Sequence, residues 1–290
     1  MASLRDIRRR IRSVRNTAQI TKAMELVAAS RMRRAQLRVL GARPYATAMR
    51  TMMAQLGAAR REGEALHPLL QRRPVQRVGL VILTTDRGLC GALNTNVIRR
   101  GTEFLLSMQE PVELVTVGRK GQDFMVRRGR ALRATFTQLG DRPDYMDIVP
   151  IARVIMNDFA SGAIDAAYIV FPRFVSTLSQ RPEIEQLLPI TAPTLEGTET
   201  RATDYIFEPD PAAILDELLP RYVEVQIYQA VLETIASEQS ARMVAMRSAN
   251  DNAKDLIDSL TLTYNRARQA SITREVTEIA SAAEALAHRE

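Results

Sequence analysis

The sequence predicts an α/β chain with long helices: an antiparallel coiled coil of N- and C-terminal helices, plus a small Rossmann-like α/β domain between them. Three observations carry this expectation. Apolar residues recur at spacings of three and four at both ends of the chain, the narrow seam of a coiled coil rather than the wider stripe of a helix lying on a globular core. Between the ends, short apolar runs alternate with helical patterns, as in a small sheet with helices packed on it. Beyond Pro211 there is no Gly and only one further Pro, so little interrupts a very long final helix.

That final helix starts at Asp210-Pro211, where Asp210 caps free N–H groups and Pro211 suits the first helical position, which needs no donor. Ile272, Val276, Ile279, Ala283 and Leu286 form its seam, and a seam needs a partner helix. At 1.5 Å rise per residue, seventy-five or so helical residues extend roughly 110 Å, well beyond a domain diameter. Pro220 is expected to kink or break the first turns, which places the uninterrupted helix from about Arg221 onward.

The N-terminal helix opens on Ser3-Leu4-Arg5-Asp6, a hydroxyl followed three residues later by a carboxylate. Leu4, Ile7, Ile11, Val14, Ala18 and Thr21 make a second seam, continued by smaller or more flexible residues, Met24, Val27, Ala28, Met32 and Ala35. Gly41 and Pro44 should bend this helix before it resumes through Met49, Met52, Met53 and Leu56. Two seamed helices, each without a cover, most simply pair with each other. The domains expected are therefore residues 1–57 and 210–290, pairing as a shaft, and residues 75–207 as the α/β domain.

Within that domain, Val78 to Thr84 reads as a buried strand entering the Gly-rich turn Asp86 to Gly91. Asn94–Met108, Gly121–Arg128 and Pro150–Ser161 read as helices; Val112–Val117, Ala131–Gln138 and Ala166–Phe171 as strands; Glu183–Ile190 and Tyr205–Phe207 as edge segments. Thr191 to Thr203 reads as a surface loop.

Composition narrows the function. The longest plainly apolar run, Val78 to Leu83, is far below the length needed to span a bilayer, and the basic start has no apolar core of a secretory signal. An Arg-rich start can imitate a mitochondrial transit peptide, but these residues continue a regular helix. Residues 1–50 hold thirteen Lys/Arg and two Asp/Glu, so all of the net charge of +7 originates there. Such a helix is drawn to a polyanion, whether nucleic acid, anionic membrane or acidic protein surface.

Catalytic chemistry finds little footing. Cys90 is the only cysteine and His67 and His288 the only histidines, which disfavours a disulfide framework, a zinc site and a Ser/His/Asp set. The strand followed by Gly88 and Gly91 invites a nucleotide reading, but neither phosphate-binding glycine motif is present. Gly118-Arg119-Lys120-Gly121 reads as a helix-entry turn, and Asp86 with Arg87 as an ion pair on the preceding turn. No cofactor is expected.

Four stretches carry a family resemblance. Ile20-Thr-Lys-Ala-Met-Glu-Leu-Val-Ala-Ala-Ser-Arg-Met32, Thr84-Thr-Asp-Arg-Gly-Leu-Cys-Gly-Ala-Leu-Asn94, Ser237-Glu-Gln-Ser-Ala-Arg-Met-Val-Ala-Met246 and Tyr264-Asn-Arg-Ala-Arg-Gln-Ala-Ser-Ile-Thr-Arg-Glu-Val-Thr-Glu-Ile279 resemble the gamma subunit of F-type ATP synthase. The resemblance implies a rotor: paired terminal helices turning inside a ring of alpha and beta subunits, with the α/β domain at the foot beside the epsilon subunit and the membrane-embedded c-ring. It implies mechanical coupling of proton flow to catalysis on beta, with no bond made or broken by this chain. It also implies beta contact or coupling roles for Met24, Arg242, Arg268, Gln269, Thr273 and Glu275, and a place near the c-ring and epsilon for Tyr205 and Glu208. Arg8, Arg9, Arg12, Arg31, Arg33 and Arg34 are candidates to attract acidic loops of beta. The lone cysteine departs from the paired cysteines of chloroplast-type relatives, so thiol regulation is not expected. The location implied is the cytoplasmic face of a bacterial plasma membrane, peripherally, with neither nucleic acid nor a small-molecule ligand as partner.

Two rival readings compete with this. A basic coiled-coil protein would lay its N-terminal helix along nucleic-acid phosphates, which leaves the α/β domain without a role. A Rossmann-like enzyme with helical arms would need the phosphate loop that is missing.

Overall fold

The structure is a computed structural model and describes residues 3–59, 67–190 and 211–287. The chain divides into two compact units, one formed by Met1–Val27 with Met243–Glu290 and the other by Ala28–Arg242. Helix α1, Leu4–Ala59, and helix α5, Pro211–Ala287, each contribute to both. Tyr205 and Glu208, the strand expected at Tyr205–Phe207 and the loop Thr191–Thr203 lie outside the described residues.

α1 begins as its sequence foretells, with Asp6 N–H donating to Ser3 Oγ at 3.2 Å and Ser3 Oγ donating to the Asp6 carboxylate at 2.9 Å. It runs through Gly41 and Pro44 without interruption. Pro220 likewise does not break α5. A proline inside a helix costs about 3 kcal/mol, but Leu215, Leu219, Tyr222 and Val223 around it are all buried, and each large apolar side chain so buried returns roughly 1.5–3 kcal/mol. Packing outweighs the missing hydrogen bond, and the helix continues.

The larger unit contains a five-stranded sheet. Its strands are β1 (Val78–Leu83), β2 (Val112–Val117), β3 (Ala134–Phe136), β4 (Ala166–Phe174) and β5 (Gln180–Leu188), in the order β3-β2-β1-β4-β5. The first four are parallel and β5 runs antiparallel at one edge. Being central and covered on both faces, β1 is buried at every residue, which is why Val-Gly-Leu-Val-Ile-Leu shows no alternation. On one face Leu80, Ile82, Leu114 and Val170 pack with Val97 of α2 (Leu93–Ser107) and Met125 of α3 (Arg119–Arg127). On the other, Val81, Leu83, Val115 and Ile169 meet α4 (Tyr145–Ala160) and the parts of α1 and α5 that belong to this unit.

Helix α4 starts earlier than its proline suggests. Asp144 and Asp147 form a reciprocal capping box, so the helix opens at Tyr145 and Pro150 falls inside it rather than at its start. At the sixth helical position it lacks the N–H that would reach the Met146 carbonyl, and the burial of Ile148, Ile151, Ala152 and Ile155 around it offsets that lost bond.

The glycines after β2 answer to Thr84. Gly118 has φ +90°, and a Cβ there would lie 2.1 Å from the Thr84 carbonyl oxygen. Gly121 N–H donates to Thr84 Oγ1 at 2.8 Å, so the Gly118–Gly121 turn is a helix entry pressed against the end of β1. Asp86 does not pair with Arg87; its carboxylate accepts from the backbone N–H groups of Arg119 at 3.0 Å and Gln138 at 2.9 Å, tying together the loops after β1, β2 and β3.

Candidate functional site

In the smaller unit α1 and α5 pair antiparallel. Arg8 donates to the Tyr264 hydroxyl and lies over its ring, 5.4 Å from the centroid, and Arg247 Nε donates to Glu25 at 3.0 Å. Both pairs have residue numbers totalling 272, so each step up α1 matches a step down α5, and Leu4 falls opposite Arg268. On α1 the covered positions follow a strict heptad from Leu4 through Ile7, Thr21, Glu25 and Ala28 to Met53. On α5 the matching face holds Met243, Met246, Asn250, Ala253, Ile257, Leu260, Tyr264, Ala267 and Ser271.

This seam corrects the sequence expectation at two places. Met24 is only half-buried and Val27 is exposed; the core position between Thr21 and Ala28 is taken by Glu25, which is 6% exposed. Strict continuation of the spacing leads to this charged residue, which a pattern of apolar residues alone does not show. Lys22 and Arg247 both hydrogen-bond its carboxylate and hold its pKa below the usual carboxylate range against the opposing effect of burial. The second correction concerns the C-terminal seam. Ile272, Val276 and Ile279 are 51%, 59% and 71% exposed, because they lie beyond Leu4's partner and off the stripe that α1 covers. The side chains of Ala283 and Leu286 lie outside the described residues.

The other residues implicated by sequence fall in separate surroundings. Arg9 is exposed and pairs with Asp6 at 3.0 Å. Arg268, Gln269, Thr273 and Glu275 are exposed on the uncovered end of α5, where Ser271 Oγ donates to Glu275 at 3.3 Å. In the larger unit Arg242 is buried, bonded to Glu238 at 2.6 Å and to the Gly88 carbonyl at 3.2 Å. Burial pushes the Glu238 carboxyl above its ordinary pKa despite that partner. Arg242 thus binds the Gly-rich turn after β1 to α5, a contact that no local sequence pattern announces.

Open α/β sheets receive ligands outside the carboxyl ends of their strands, and a crevice lies at those ends of β1, β2 and β3. Here Val231, Thr234, Ile235 and Glu238 of α5 line it opposite Thr84–Asp86, Gly118 and Thr137–Gly140, and the cavity left measures about 40 Å³. Cys90 beside this turn is buried, and desolvation raises its thiol pKa, the opposite of what activates a nucleophile. Among the described residues no helix is long and apolar enough to cross a membrane.

A family described as ATP synthase matches residues 3–286 of this chain. A chain named ATP synthase gamma chain from Dehalococcoides mccartyi (strain CBDB1) is 53% identical over 287 residues, covering 99% of this chain and 100% of that one. The gamma chain of Roseiflexus sp. (strain RS-1) is 55% identical over 291 residues, covering 99% of each. In structure, a chain from the Euglena gracilis mitochondrial ATP synthase (OSCP/F1/c-ring, rotational state 3) superposes with a TM-score of 0.67 at 21% identity, covering 98% of this chain and 94% of that one. A family model matched over residues 3–286, with relatives more than half identical along 99% of the chain, places it in the ATP synthase gamma-chain family.

Proposed function

We propose that the chain is the central-stalk rotor of an F-type ATP synthase, coupling proton flow through a membrane c-ring to ATP synthesis or hydrolysis on beta subunits while catalysing nothing itself. The observation that carries this reading is the bare end of α5. Ile272, Val276 and Ile279 expose an apolar stripe that α1 does not cover, and exposed apolar stripes mark places where another protein sits. A sleeve of alpha and beta subunits suits it, because a shaft that turns needs an apolar bearing without fixed polar contacts. Ile20, Leu26 and Val27, exposed beside the heptad seam, extend the same kind of surface.

On this reading Met24, Arg8, Arg9, Arg268, Gln269, Thr273 and Glu275 face beta, and Arg242 holds the shaft to the sheet domain. Tyr205 and Glu208 serve the foot near epsilon and the c-ring. The complex then sits peripherally on the cytoplasmic face of a bacterial plasma membrane. The rival nucleic-acid reading leaves the sheet unemployed, and the relatives named above are ATP synthase gamma chains.

The test is reconstitution of this chain with alpha and beta subunits, with a bead fixed to the sheet domain. Stepwise, unidirectional rotation in three-fold increments on addition of ATP is the expected result. An assembled complex that hydrolyses ATP while the bead stands still would overturn the rotor role.

A further inference from the structure

Within the larger unit, a cavity of about 430 Å³ opens between α1, the loop after β3 and α5. Four guanidinium groups line it, those of Arg31, Arg34, Arg38 and Arg142, against the single carboxylate of Asp141. Arg31 pairs with that carboxylate, Gln239 Nε2 donates to it at 3.3 Å, and Arg38 Nη1 donates to the Asp141 carbonyl at 3.3 Å. Asp141 therefore positions two of the four arginines. Arg34 and Arg142 make no ion pair or side-chain hydrogen bond among the described residues.

This arrangement is electrostatically incomplete. Arg31, Arg34 and Arg38 lie three and four residues apart on one helix face, a spacing at which like charges repel. One carboxylate for four cations leaves a charge of +3 in a concavity whose size falls within the range of about 300–1,000 Å³ typical of ligand pockets. Guanidinium forks match tetrahedral oxyanions, each taking two oxygens. A single carboxylate would engage one fork and leave the remaining charge unanswered; two linked phosphates would engage both free forks at once.

We propose that this cavity binds an oligophosphate group, either inorganic pyrophosphate or the phosphate chain of a nucleotide. Arg34 and Arg142 grip the phosphates, and Arg31 and Arg38, held by Asp141, complete the cradle. The bound anion links α1 to the loop after β3, so its occupancy stiffens the join between shaft helix and sheet. The proposal does not depend on the rotor reading.

Calorimetric titration of the purified full chain with pyrophosphate, and separately with ADP, tests it. Saturable binding of one pyrophosphate is expected, weakened about tenfold or more by the pair Arg34→Gln and Arg142→Gln, since two charge-assisted hydrogen-bonding groups are lost. Both residues are exposed, and Arg142→Gln alone should already weaken binding should the pair disturb folding. The pair Arg99→Gln and Arg100→Gln, on α2 outside this cavity, should leave affinity unchanged. Equal affinity for ADP and pyrophosphate would assign the site to the phosphates alone, and tighter ADP to a nucleotide; either supports the proposal. No saturable binding, equal loss in the α2 pair, or displacement of pyrophosphate by a short polyglutamate peptide at lower concentration would overturn it.

Discussion

The Glu25 carboxylate, at a core position of the α1 seam, receives Arg247 Nε from α5 at 3.0 Å and Lys22 Nζ from its own helix at 3.0 Å. The Glu25 pKa is lowered in the native state, so the stabilisation is complete above the unfolded-chain value of about 4.3 and is lost as pH falls through the lower native value. Glu25→Gln should cost about 1 kcal/mol at neutral pH, near the low end for charged hydrogen bonds because Arg247 is 61% exposed. Thermal unfolding between pH 3 and 7, where the part of the pH dependence that Glu25 contributes should vanish in the variant, checks this.

Gly118 is a position that no other residue can hold. Gly118→Ala adds a Cβ 2.1 Å from the Thr84 carbonyl oxygen at φ +90°, and the clash is with backbone rather than a flexible side chain. A loss of about 3 kcal/mol or more is expected, read as a drop in denaturation midpoint or as insoluble expression. Gly129→Ala, also at positive φ but with open space around it, should cost far less.

The uncovered stripe separates folding from assembly. Ile272→Ser, Val276→Ser and Ile279→Ser together should shift the stability of the isolated chain by less than about 0.5 kcal/mol each, because none of the three is buried there. Association with alpha and beta subunits, measured by size-exclusion co-elution, should weaken. Stability loss without assembly loss would show that the stripe packs on this chain after all.

Met24→Lys adds a charge at a half-buried position next to Glu25. ATP hydrolysis by the assembled complex should stay largely intact while ATP-driven proton pumping falls, as the new cation binds beta too tightly. Parallel assays of hydrolysis and pumping in membrane vesicles check it; unchanged pumping would sink the coupling role of this position.

Cys90 should resist alkylation in the native chain at pH 8, where burial keeps its thiol protonated, and react rapidly once the chain is unfolded. Labelling by iodoacetamide with and without denaturant reads this directly.

The heptad seam at the N-terminus was legible because coiled-coil packing writes itself into spacing. Glu25 was not, since a carboxylate at a core position is tolerated only through Arg247, a partner 222 residues away. Ile272, Val276 and Ile279 were legible as an apolar stripe but not as an uncovered one, because the register that leaves them bare is set by Arg8 against Tyr264 and Glu25 against Arg247. Local rules read Pro220 as a breaker, while the burial of Leu219 and Val223 on either side decides otherwise. A small sheet was implied by alternating strands and helices, though not its strand order, and the helix start at Tyr145 was hidden by Pro150 and revealed only by the Asp144 and Asp147 box.

The filling of the strand-end crevice by α5 gives the sheet domain a different vocation from that of its architecture elsewhere. Val231, Thr234, Ile235 and Glu238 occupy the place of a guest, and Arg242 latches the next turn to Gly88. A helix seated this way is keyed like a spline in a hub: it cannot spin about its own axis unless the sheet turns with it.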